Sequence, residues 1–162
     1  MQCLSGGEIK EKLTKCLDLL FKKDKHLLEK NVNERSISNM LASYLRSEFG
    51  DWDVDCEYNK DQKLTKKLKS LNYFLKELKR EDLIKDIDER AVIPDIIVHK
   101  RSTDNNLLVI EIKKSTSSKV KDDFDIAKLK AFRKDKGYCF AVFLKVKIGN
   151  ADEVGLEEMR WY

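Results

Sequence analysis

The stretch "PDIIVHKRSTDNNLLVIEIKK", Pro94 to Lys114, decides how the rest of the chain is read. Two runs rich in aliphatic and β-branched residues, "DIIVHK" and "LLVIEIKK", flank "RSTDNN", a cluster of turn-forming polar residues. That arrangement predicts an antiparallel β-hairpin. Its strands are apolar on both faces, as buried strands are, yet they carry Asp95, Glu111 and Lys113. A turn centred near Thr103 puts Asp95 across from Glu111 or Ile112. Directly opposed residues project to the same side with β-carbons about 5 Å apart. Strand alternation puts Glu111 and Lys113 on one face and Ile112 on the other. The register therefore predicts a patch of Asp95, Glu111 and Lys113 at one end of the hairpin. Buried charge is costly and tends to mark a working site. The plainer alternative is an ion pair of Lys113 with Asp95 or Glu111 at the exposed end of a sheet.

Working outward, "SGGE" predicts a helix start in which Ser5 caps and Glu8 reaches back. Ile9, Leu13, Cys16, Leu17 and Leu20 follow at helical spacing, with the helix ending near His26 to Lys30. A second helix begins at Asn33, a natural N-cap. It carries Ile37, Leu41, Tyr44, Leu45 and Glu48 on one side, and Gly50 marks its end. "WDVDCEY" (Trp52–Tyr58) alternates as a strand with one wet face. From Asp61 to about Leu78 the pattern is helical, with Leu64, Leu68, Leu71, Leu75 and Leu78 on one stripe. The opposite side is basic: Lys60, Lys63, Lys66, Lys67, Lys69, Lys76, Lys79 and Arg80. Residues 80–90 read as a charged connection. After the hairpin, a helix from about Asp122 to Lys134 buries Phe124, Ile126, Leu129 and Phe132 and stops at Gly137. "YCFAVFLKVKI" then makes a last, strongly apolar strand. A strand, helix and strand in succession predict that this strand lies parallel to its sheet neighbour. The tail after Ile148 receives no assignment beyond Leu156, Met159 and Trp161 tucking onto the body.

The 162 residues carry 33 basic and 29 acidic side chains, a net charge of +4. That small surplus permits nucleic-acid binding without requiring it, so the placement of charge matters more than its sum. The length suits one domain. No run approaches the roughly 18 apolar residues of a membrane span. The N-terminus lacks the basic-then-apolar pattern of a leader. A soluble, cytoplasmic protein with no membrane partner is expected. Cys3, Cys16, Cys56 and Cys139 are widely spaced, and with His26 and His99 they match no familiar zinc spacing. They are expected to be reduced.

Two carboxylates held as close as Asp95 and Glu111 repel unless a cation neutralises them. Mg²⁺ suits such a pair, because it takes one or two carboxylates and keeps several waters. A metal so placed lowers the pKa of a bound water and stabilises charge on a phosphoryl oxygen. Lys113 beside it is suited to orient or deprotonate that water, or to stabilise developing negative charge. These are the components of a phosphodiester hydrolase.

"PD" at Pro94–Asp95 followed by "EIK" at Glu111–Lys113, set in the order helix, strand, strand, strand, helix, strand, resembles the PD-(D/E)xK nuclease superfamily. The resemblance implies an α/β domain of the restriction-endonuclease-like fold, a mixed central sheet flanked by helices. Its core would span about 33–148, with a basic helical insertion at about 60–90 and an extra N-terminal helix. It implies a metal-dependent endonuclease acting on nucleic acid, DNA more readily than RNA, with Mg²⁺ as cofactor and Mn²⁺ able to substitute. Asp95, Glu111 and the backbone carbonyl of Ile112 would hold the ion, and Lys113 would be the catalytic lysine. Glu34, at the matching position on the first core helix, would complete the site; a favourable charge in a helix's first turn is its other explanation. Lys63, Lys66, Lys67 and Lys114 are candidates for phosphate contact, or simply solvated. Ser115 to Ser118 form a polar loop, and Asp125 and Lys128 on the last helix fit a surface ion pair or an accessory role. His99 is expected to be an ordinary half-buried side chain. Cutting both strands of a duplex with one such site would invite a homodimer. Two other readings stand: a binding module that keeps the fold without the chemistry, and a regulatory partner subunit with only an ion pair.

Overall fold

The computed structural model describes residues 4–57, 68–87 and 92–162. The chain opens with α1 (Gly6–Lys23), a short α2 (His26–Glu29) and α3 (Glu34–Glu48). The capping box at Ser5 and Glu8 is formed, and Ile9, Leu13, Cys16, Leu17 and Leu20 are buried as the spacing predicts. The first helix breaks earlier than expected: Asp24 and Lys25 separate α1 from α2, and Asp24 accepts a hydrogen bond from the Tyr44 hydroxyl. Asn33 caps α3 by accepting from the Ser36 amide at 2.8 Å.

Among the described residues one five-stranded sheet follows, in the order β1 (Asp53–Cys56), β2 (Ile96–His99), β3 (Asn106–Lys114), β4 (Phe140–Lys147), β5 (Gly155–Trp161). The hairpin has the expected register, with Ile96 opposite Ile110 and Ile97 opposite Val109. One step further, the same register carries Asp95 to Glu111. β3 and β4 run parallel, joined by α5 (Lys119–Lys136), and the remaining neighbours are antiparallel. The sheet is therefore mixed, in an α/β architecture.

Strand alternation sorts the core into two layers. Val54, Ile96, Val98, Ile110, Ile112, Val142 and Leu144 pack with α1 and α3. Ile97, Val109, Ala141 and Phe143 pack on the other face with α5 and with α4 (Leu71–Glu77). Leu68, Leu71 and Leu75 are buried as their spacing predicts, and a 3₁₀ segment, Glu81–Asp86, follows α4. The helix expected from Asp61 is shorter where it is described: residues 69–70 form a turn and α4 begins only at Leu71, while Leu64, Lys60, Lys63, Lys66 and Lys67 lie outside the described residues, as do Cys3 and Tyr58. Cys16, Cys56 and Cys139 are free thiols, and burial pushes that of Cys16 up to about 12. No helix among the described residues is long and apolar enough to cross a membrane.

Two corrections concern the C-terminal half. The tail forms a full strand, β5, along β4, in which Met159 and Trp161 pack on the core while Leu156 stays exposed. The last helix starts at Lys119, three residues before the expected start, because Ser118 caps it. It ends at Gly137, whose φ of 70° lies in the left-handed region. No atom lies within 4 Å of a methyl added there, so Gly137→Ala would act through backbone strain alone. It is expected to cost about 1–2 kcal/mol in chemical denaturation.

Candidate functional site

Three segments converge where β2 begins and β3 ends. Asp95 sits one residue before β2, and its Oδ2 accepts a hydrogen bond from the Ile112 amide at 2.8 Å. This bond locks the aspartate onto the hairpin, across from Glu111. Glu111 lies in the middle of a strand covered on both faces and is 1% exposed. Its face is the one on which α5 packs, and α5 answers with Asp125 and Lys128, each 4% exposed.

Lys128 Nζ lies 2.9 Å from Glu111 Oε1 and 3.2 Å from Asp125 Oδ1, and donates to the carbonyl of Ile93 at 3.2 Å. Lys113 Nζ lies 2.9 Å from Asp125 Oδ2 and 3.3 Å from Glu34 Oε2. Glu34 comes from the first turn of α3, beneath the opposite face of the sheet. Its other oxygen accepts from the Lys114 amide at 3.2 Å, so it reaches around the end of β3. Further along, Lys145 of β4 pairs with Asp122 of α5 at 2.6 Å.

Asp95, Glu111, Lys113 and Glu34 are thus all brought to one end of the sheet. The partners of Lys113 differ from expectation. It pairs with Asp125 and Glu34, while Lys128 takes Glu111. Asp125 and Lys128 are not a surface pair either; both are buried. Their signal was in the sequence: Asp125, Leu129 and Phe132 fall at i, i+4, i+7, and Lys128 precedes Phe132 by four. Both continue the buried stripe of α5.

Lys114 is held away from this patch, its ammonium donating to Asn31 Oδ1 at 2.9 Å and to the Val32 carbonyl at 3.3 Å. Within the loop that follows, Ser118 serves as the helix cap, and Ser115 Oγ accepts from the Ile148 amide. His99 is buried more deeply than expected, and its Nε2 lies 2.9 Å from Asp55 Oδ2.

The electrostatics are unbalanced. Glu34, Asp95, Glu111 and Asp125 face Lys113 and Lys128, four carboxylates against two ammonium groups. Burial raises the Asp95 carboxyl above its ordinary range, against the Ile112 amide and the two lysines, which lower it. Burial raises Glu111 further, with Asp95 and Asp125 adding to it and Lys128 opposing. Burial works against the charge on both lysines, but Asp125 and Glu111 beside them outweigh it and hold both above the usual range. Glu111 Oε1 and Asp125 Oδ2 each meet a lysine ammonium at 2.9 Å.

A cleft of about 350 Å³ opens beside the cluster, lined by Leu83, Lys113, Lys121, Phe124, Asp125 and Lys128. Among the described residues no group of three or more His, Cys, Asp and Glu side chains is arranged as a metal cage. What the cluster offers is a pair of adjacent carboxylates, of which Glu111 is itself paired with Lys128, backed by Asp125 and Glu34 on Lys113. Comparison of the chain with protein-family models, with curated proteins and with solved structures finds no match in any of the three.

Proposed function

We propose that the chain is a cytoplasmic, Mg²⁺-dependent phosphodiester hydrolase of the restriction-endonuclease-like fold, acting on nucleic acid and on DNA in preference to RNA. One observation carries this reading: four carboxylates against two lysines at the end of β3, with Asp95 and Glu111 adjacent and both carboxyls pushed up. Carboxylates in excess of their counter-ions, with Glu111 and Asp125 buried among them, fit a divalent cation. Asp95, Glu111 and the carbonyl of Ile112 would hold the ion, with Glu34 completing the set. Mg²⁺ or Mn²⁺ bound there supplies a water of lowered pKa and offsets charge on a phosphoryl oxygen.

The chain's own residues do the rest. Lys113 lines the cleft and is held protonated by Asp125, Glu111 and Glu34. That placement suits it to act as a fixed positive charge on a phosphate oxygen. Asp125 positions Lys113 from below, and Glu34 positions it from the far side of the sheet. Lys128 bridges Glu111 and Asp125 and offsets part of their mutual repulsion.

A second reading is favoured by Lys128 itself. A chain that supplies its own cation to Glu111 has the means to neutralise the patch without metal, as a non-catalytic nucleic-acid- or protein-binding module would.

The two separate by metal titration. Raised carboxyl pKa values mean that the folded chain holds more protons than the unfolded one. The contribution of Asp95 and Glu111 to stability is full below about pH 4 and is lost as pH rises through their raised values. A divalent ion binds the ionised pair, so its stabilising effect should grow over that same rise. It is expected to reach about 2.7 kcal/mol at a hundredfold excess over Kd. Thermal unfolding with and without Mg²⁺ or Mn²⁺ across pH measures it, and Asp95→Asn or Glu111→Gln should remove it. The same preparation should cut labelled DNA with metal and not with chelator. A flat response to both ions, with no cleavage of DNA or RNA, favours the binding module.

A further inference from the structure

On the outward side of α5, beyond the buried cluster, aromatic and basic residues alternate in space. A groove of about 400 Å³ is lined by Phe74, Lys130, Arg133, Lys134 and Tyr162. Tyr73 stands beside it, 60% exposed, with its ring edge-on to Phe74 at a centroid distance of 5.2 Å. Lys134 Nζ lies 5.1 Å from the Tyr73 centroid and 5.9 Å from that of Phe74. Lys130 Nζ lies 5.7 Å from Phe74 and 5.8 Å from Tyr162. Glu77 pairs with Lys130 at 3.3 Å, which leaves the group of Lys130, Arg133 and Lys134 with a surplus of positive charge.

We propose that this groove, with Tyr73 at its rim, is a binding site for single-stranded nucleic acid, with unpaired bases stacking on Tyr73 and Phe74 and phosphates lying on Lys130, Arg133 and Lys134. An exposed aromatic ring among cations offers two things that a strand has and that other polyanions lack together: a π-face and a regularly charged backbone. Bases inside a duplex are stacked on each other and present no free face, so the site selects unpaired strands. Six residues of α5 separate Lys128 from Lys134, about 9 Å of helix rise. The groove and the cleft beside Lys113 thus both border α5. The link of this site to cleavage rests on the nuclease reading; the stacking geometry does not.

The test is fluorescence anisotropy of the full chain in chelator, with labelled 15-nucleotide oligo(dT) and oligo(rU) and a blunt duplex of the same length. Single strands should bind better than duplex. Tyr73→Ala should weaken that binding by about tenfold to a hundredfold, and Tyr73→Trp should restore it. Lys134→Ala should weaken it and flatten the salt dependence by about 0.7 in the logarithmic slope. Tyr73 is exposed, so its variants are expected to unfold at the wild-type denaturant midpoint. Absence of single-strand binding, equal binding by Tyr73→Ala, or equal affinity for duplex each overturns the proposal. Metal-dependent cleavage that ignores Tyr73 would remove this site and leave the nuclease reading. Tyr73-dependent binding without cleavage would do the reverse.

Discussion

Replacing Lys113 by alanine is expected to lower Mg²⁺-supported cleavage by about 10²–10³-fold, the usual loss when one fixed electrostatic stabiliser is removed. The ammonium lies between Asp125 and Glu34 and faces the cleft, so under the proposed hydrolase function it would meet the substrate already oriented. Its carboxylate neighbours favour the charged form, which suits electrostatic stabilisation. Two readouts follow. Single-turnover cleavage should collapse while nucleic-acid affinity in chelator changes little. The rate in the wild-type chain should rise with pH as Asp95 and Glu111 ionise, with no step assignable to lysine near neutrality. Cleavage by Lys113→Ala at the wild-type rate would rule out its role.

The second large effect concerns stability. Lys128→Met keeps the volume of the side chain and removes the only described ammonium within 4 Å of Glu111. Glu111 and Asp125 are then left buried with less compensation. Breaking a buried pair from one side costs about 3–5 kcal/mol. Urea denaturation should show that loss. The double variant Lys128→Met, Glu111→Gln should recover most of it, because the charge left stranded has gone. The two substitutions share one contact, so their effects should be non-additive. A loss below about 1 kcal/mol, or simple additivity, would mean that solvent reaches this pair and that the cluster is less enclosed than its burial indicates.

The hairpin and its register were legible because both rest on local rules: apolar runs, a polar turn, and strict alternation. Once Ile96 faces Ile110, Asp95 must approach Glu111. The parallel placement of β4 was legible for the same kind of reason, since α5 leaves the chain no short return. The surface placement of Asp125 and Lys128 did not hold, although both continue the buried stripe of α5, because charged residues on such a stripe read equally as facing water. What distinguishes them is Glu111, whose partner cannot be assigned until α5 is docked. β5 was missed because Glu157, Glu158 and Arg160 dilute its alternation, and because an edge strand needs only one covered face. The partner exchange at Lys113 was out of reach from sequence, since it depends on α3 and α5 approaching β3 from opposite faces.

The strand that escaped notice also limits how copies of the chain can assemble. Among the described residues the sheet ends in β1 on one side and β5 on the other. β1 is four residues long, and its Asp53 and Asp55 are tied to Arg101. β5 turns Glu157 and Arg160 outward, beside a Glu158 already paired with Arg160. Short or charged rims of this kind resist strand addition. A pair of molecules cutting both strands of a duplex would therefore have to meet through helices and loops, which leaves the sheet of each copy closed to extension.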